Sequence, residues 1–194
     1  MKKVLVKLLV MAFVLITASS VALAKSNDEL RAELNQMSVA VLNRMAKKYP
    51  ETERAVQNAY AYCTISASSV KLGFLGDDHG RGVAVNNETG ERIYVKMREA
   101  TIGLNIGAKE YDLLFIITNK DAWDSFTSGN IKFGTEVTAT ANDGVTGDSY
   151  ANATIIANGV WVYQIDKKGL ALELTFKGAR ISPIRSLLKD NEKK

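Results

Sequence analysis

The only histidine in the 194-residue chain, His79, sits in the run Asp77-Asp78-His79-Gly80-Arg81-Gly82. A metal or an acid–base pair would be sought there first. A stable transition-metal site needs three or four converging ligands, and no second histidine, neighbouring cysteine or EF-hand spacing supplies them. The run therefore reads as a solvated turn, rich in the residue types that turns use. Cys63, the single cysteine, lies in the apolar stretch AYCTIS with no histidine close in sequence, and no GxSxG elbow is present. Core packing explains that thiol better than nucleophilic chemistry. Gly76 to Gly82 lacks the Gly-Lys-Ser/Thr ending of a phosphate loop. The expectation is a protein without catalysis, metal, nucleotide or other cofactor.

The basic side chains have more to offer. Arg92, Lys96 and Arg98 recur at even spacing, which places them on one face of a strand while Ile93, Val95 and Met97 turn to the core. Lys167 and Lys168 stand in a turn-like Asp-Lys-Lys-Gly, followed by Lys177 and Arg180. These seven residues are the candidates for contact with lipid headgroups; the plain alternative is a polar outer face in solvent, where Lys and Arg commonly lie. Magnitude limits the lipid reading. Each such cation contributes about 1 kcal/mol against an anionic leaflet, so four together correspond to roughly millimolar affinity. Useful binding needs an apolar pocket, insertion of an amphipathic helix, or several copies acting together.

The elements that must hold these residues can be read from period. From Asn27, expected as the N-cap, Leu30, Leu34, Met37, Val41 and Met45 recur at spacings of three and four, the stripe of an amphipathic helix. Lys47 and Lys48 suit its C-terminal end, and Pro50 opens a second short helix to about Asn58. The stripe either packs on the protein's own sheet or enters a membrane interface. Burial is favoured, because the face lacks Trp and Phe, and Asp28, Glu29 and Glu33 occupy its early turns.

From Ala59 strand signals dominate, with turns expected at Gly76 to Gly82 and Asn86 to Gly90. Asn119 can cap a short helix to Thr127 carrying Ala122, Trp123 and Phe126. Strands resume near Ile131, and Thr135 to Ala141 alternates before the turn Asn142-Asp143-Gly144. The stretch Gly159 to Ile181 alternates on both sides of Asp166-Lys167-Lys168-Gly169, as an antiparallel hairpin does. The fold class is therefore α+β: N-terminal amphipathic helices, then an antiparallel sheet that closes wholly or in part into a small barrel, with one short helix inserted near residues 119–127. Such a barrel is either filled by side chains or holds an apolar ligand.

The wording of that closing hairpin is similar to the last hairpin of the SYLF-domain family. The resemblance extends upstream through GRGVAVNNETGERIYVKM (Gly80 to Met97), TIGLNIGAKEYDLLFIITN (Thr101 to Asn119) and the run Asp121 to Ala141, covering roughly residues 58–184. It implies a lipid-binding protein without catalysis. Eukaryotic relatives are linked to phosphoinositides and actin, an activity not carried over here. The chain then divides into a helical lead-in (25–57), the SYLF-like β-rich domain (58–184) and a charged tail (185–194).

The first 24 residues read as a secretory signal peptide. Lys2, Lys3 and Lys7 precede an apolar stretch, and Ala22-Leu23-Ala24 offers a small-x-small cleavage site. Cleavage near Ala24 would place the mature protein in the periplasm or outside the cell, where one cysteine forms no internal disulfide. It would also lower the formal charge from +4 to +1, since 22 Lys and Arg then face 21 acids. Nucleic acid is not an expected partner at that balance, and none of its binding motifs is present. The expected function is non-catalytic binding of phospholipid or a membrane surface in the bacterial cell envelope. The alternative is an envelope structural or interaction module with a filled barrel and a protein partner.

Overall fold

The computed structural model describes residues 25–72, 75–102, 107–131, 133, 150, 152–168 and 179–188. Helix α1 (Asn27–Lys48) is capped one residue earlier than expected, by Ser26 rather than Asn27: the Ser26 hydroxyl accepts from the Glu29 amide at 3.2 Å, and the Glu29 carboxylate accepts from the Ser26 amide at 2.8 Å. This reciprocal pair satisfies two otherwise orphaned amides. It also holds the Glu29 carboxyl below its usual value, chiefly through the bond from the Ser26 backbone. Pro50 caps helix α2 (Glu51–Asn58).

Leu34, Val41 and Met45 of the α1 stripe are buried, and Leu30 and Met37 pack beside them. The stripe thus lies on the protein's own sheet. Each fully buried side chain of this size contributes about 1.5–3 kcal/mol.

The strands are β1 (Ala61–Leu72), β2 (Leu75–Asn86), β3 (Arg92–Ile102), β4 (Gly107–Ile117), β5 (Thr154–Ala157), β6 (Val160–Lys168) and β7 (Arg180–Pro183). They form one antiparallel half-barrel sheet in the order β5-β6-β4-β1-β2-β3-β7. Helix α3 (Lys120–Thr127) is capped by Asn119, as expected, through its side-chain oxygen and the Ala122 amide at 2.9 Å. On the α3 face, Cys63, Ile65, Val95, Met97, Leu113, Phe115 and Val162 pack with Trp123 and Phe126. Phe126 meets Phe115 edge-on at 5.3 Å, and Phe133 stands 6.4 Å from the same ring. On the opposite face α1 covers Leu114, Ile116, Val83, Val85, Tyr94 and Tyr163. Covering both faces explains why β4 reads as a nearly continuous apolar run.

Two expectations about turns are corrected. The expected turn at Gly76 to Gly82 is the body of β2, between β1 and β3. Its glycines serve close packing: a Cβ on Gly82 would lie 2.0 Å from the Thr64 carbonyl oxygen, and one on Gly80 2.7 Å from Ile65 Cγ2. Likewise Asp166, Lys167 and Lys168 are the end of β6 rather than a turn. A bulge opposite Glu110 and Tyr111 accommodates one extra residue there. The turn before β3 does fall where expected, with Gly90 at φ +69°. Expectations for residues 1–24, 134–149 and 169–178 lie outside the described residues.

Candidate functional site

In an antiparallel sheet, residues directly opposite each other share a face, so the register assigns the basic side chains. Ser68, His79, Arg98 and Arg180 form one row across β1, β2, β3 and β7. Ser66, Arg81, Lys96 and Ser182 form the next. Both rows lie on the α1 side of the sheet, just past the apolar rows that α1 covers. His79, Arg81, Lys96, Arg98 and Arg180 are all exposed.

Like charges therefore stand directly opposite, Arg81 against Lys96 and Arg98 against Arg180. Such pairs destabilise a sheet by fractions of a kcal/mol each. None of these four cations has an ion-pair partner among the described residues. His79 Nε2 lies 3.2 Å from the Ser68 hydroxyl. The arrangement presents a compact positive surface to solvent, suited to a polyanionic partner.

The structure brings together Lys96, Arg98 and Arg180 of the sequence candidates and adds Arg81 and His79. Sequence reasoning missed those two because a turn was expected over them; the alternation His79, Arg81, Val83, Val85 was the available signal. Arg92 shares the face but stands two rows away, bonded to the Asn35 side chain at 3.0 Å. Lys167 is engaged elsewhere. Its ammonium lies 3.0 Å from Asp112 Oδ1 and donates to the Ser66 hydroxyl at 2.8 Å. Lys168 pairs in register with Glu110, and its side chain, like Lys177, lies outside the described residues.

Asp112 is fully buried, and Arg44 of α1 reaches it through Nε and Nη2, each 2.6 Å from Oδ2. The Arg44–Asp112–Lys167 cluster ties the helix to the sheet beside the basic rows. A buried carboxylate without such partners would be very costly. Sequence reasoning overlooked Asp112, although a lone acid within the apolar run YDLLFII demanded a partner.

The remaining chemistry is sparse. Cys63 is wholly buried, and burial pushes its thiol well above the ordinary value. Among the described residues no three His, Cys, Asp or Glu converge as metal ligands, and no helix is long and apolar enough to cross a membrane.

Two comparisons bear on this arrangement. Residues 98–188 match the Ysc84 family, described as Las17-binding protein actin regulator. The chain is also 31% identical over 157 residues to Beta cell expansion factor A of Aeromonas veronii, a match covering 80% of this chain and 58% of that protein. This chain thus spans less than two thirds of the relative's length. The family match includes Arg98, Asp112, Lys167 and Arg180, while His79, Arg81 and Lys96 precede it.

Proposed function

We propose that this chain, which carries a domain of the Ysc84 (SYLF) family, is a non-catalytic module that binds anionic phospholipid surfaces through the exposed rows of β2, β3 and β7. The observation that carries the reading is the direct opposition of Arg81 to Lys96 and of Arg98 to Arg180. The sheet tolerates that repulsion on an exposed face, and a bound polyanion would relieve it. Four cations contribute about 4 kcal/mol against an anionic leaflet, so contact is weak, reversible and salt-sensitive. The signal-like first 24 residues support an envelope location, where such a leaflet is available.

A filled module with an acidic protein partner is the second reading, favoured by the aromatic packing of Phe115, Phe126 and Phe133 on the α3 face. Co-sedimentation of the chain from residue 25 onward with phosphatidylglycerol and phosphatidylcholine vesicles separates the two. Lipid-surface binding predicts sedimentation with phosphatidylglycerol alone, lost at high salt and lost in Arg81→Glu/Lys96→Glu. No sedimentation with either vesicle would reject it in favour of the protein partner.

A further inference from the structure

We propose a second, discrete binding site: the cleft between the first turns of α1, the β2–β3 turn and the 3-10 turn at Arg185–Leu187 takes one single-chain anionic amphiphile. The cleft encloses about 500 Å³ and is lined by Arg31, Gly90, Glu91, Arg92, Ile93, Tyr94, Leu187 and Leu188. That volume lies within the range of small-molecule sites, roughly 300–1,000 Å³. Its lining is of two kinds. Leu188, 45% exposed, supplies most of an apolar wall beside the buried Leu187. Arg31 and Arg92 supply two guanidinium groups to a lining whose one acid is Glu91, and Asp28, outside the lining, pairs with Arg31.

The cationic groups are already held in place. Arg31 donates from Nη1 to Asp28 at 2.8 Å and from Nη2 to the Leu187 carbonyl at 3.2 Å, while its Nε is buried without a partner among the described residues. Asn35 organises the rest. Its side-chain oxygen accepts from Arg92 at 3.0 Å and its amide donates to the Tyr94 hydroxyl at 3.1 Å, leaving the phenolic proton free to donate. Guanidinium groups match carboxylate and phosphate oxygens in geometry and charge, and donors fixed before binding lose little freedom on binding. An oxyanion head between Arg31 and Arg92, with its chain along Leu187 and Leu188, satisfies both kinds of lining. This site stands on its own geometry and does not require the exposed rows of the sheet.

Isothermal titration with octyl phosphate, octanoate, octanol and inorganic phosphate, each below any micelle concentration, tests the assignment. One octyl anion per chain is expected, at least tenfold tighter than octanol or inorganic phosphate. A preference for octyl phosphate would point to a phospholipid-derived ligand, and one for octanoate to a fatty acid. Arg92→Gln and, separately, Leu188→Asp should each weaken binding at least tenfold while keeping the circular dichroism spectrum and melting temperature of the parent. Arg81→Glu/Lys96→Glu should leave it unchanged, so failure of the vesicle contact and failure of this site are distinguishable. Inorganic phosphate binding as tightly as octyl phosphate, an unchanged affinity in folded Arg92→Gln, or no binding of either octyl anion at millimolar concentration would overturn the proposal.

Discussion

Asp112 shows how one residue can tie two elements together. Its carboxylate is inaccessible, whereas the Arg44 and Lys167 side chains that hold it retain 42% and 25% of their exposure. Removing one cation leaves the carboxylate buried with reduced compensation, the costly half of breaking an ion pair. Arg44→Met should therefore lower stability by about 2–3 kcal/mol in urea unfolding, less than the 3–5 of a fully stripped pair because Lys167 remains. Cys63 supplies a pH prediction. Burial raises its folded-state pKa above the unfolded value, so below about pH 8.5 both states carry the proton and nothing is lost. Above that pH the unfolded thiol ionises while the folded one does not, and stability falls as the pH climbs towards the raised folded value. Burial acts in the same direction on Tyr62, Tyr150 and Tyr163. Urea midpoints measured between pH 8 and 10 should decline, and decline less steeply in Cys63→Ala.

At the scale of elements, β2 and β3 determine whether the basic rows exist at all. Gly82→Ala would set a Cβ 2.0 Å from the Thr64 carbonyl oxygen, a clash with backbone that only separation of β1 from β2 relieves. Loss of about 3 kcal/mol or more is expected, at the upper end for a single substitution, and thermal unfolding would register it. Arg98→Glu should do the reverse. Opposite Arg180 it converts repulsion to attraction, and a gain of about 0.5 kcal/mol in stability should accompany weaker sedimentation with anionic vesicles. A variant that loses stability and keeps full vesicle binding would contradict the use assigned to this face. The Gly-rich words near residue 80 were legible as glycine but not as strand: polar residues and glycine signal a turn unless a neighbouring strand leaves no space for Cβ. The Asp166–Lys168 run misled in the same manner, because the bulge opposite Glu110 and Tyr111 is invisible in β6 alone.

For the whole molecule, α1 completes the core rather than decorating it. It covers Val83, Val85, Leu114, Ile116 and Tyr163, which otherwise form an apolar surface on a sheet already packed on its other side. A chain beginning at Ala59 should bind a hydrophobic dye strongly and aggregate at micromolar concentration, while the chain from residue 25 stays monodisperse, as light scattering would show. If the shortened chain remained monodisperse and dye-free, α1 would be a detachable arm, reviving the membrane-insertion reading of its stripe.

The α+β class, the lead-in helices, the α3 cap at Asn119 and the inward set Val95 and Met97 were determined by sequence alone, because period and capping act over a few residues. The SYLF resemblance was legible in the order of those short segments. Which cations meet across strands, the burial of Asp112 under Arg44 and Lys167, and the cleft between Arg31 and Arg92 were decided only by the tertiary structure. Strand register and helix docking join residues far apart in sequence, 101 positions for Lys167 and Ser66 and 156 for Arg31 and Leu187, and no local pattern encodes those distances.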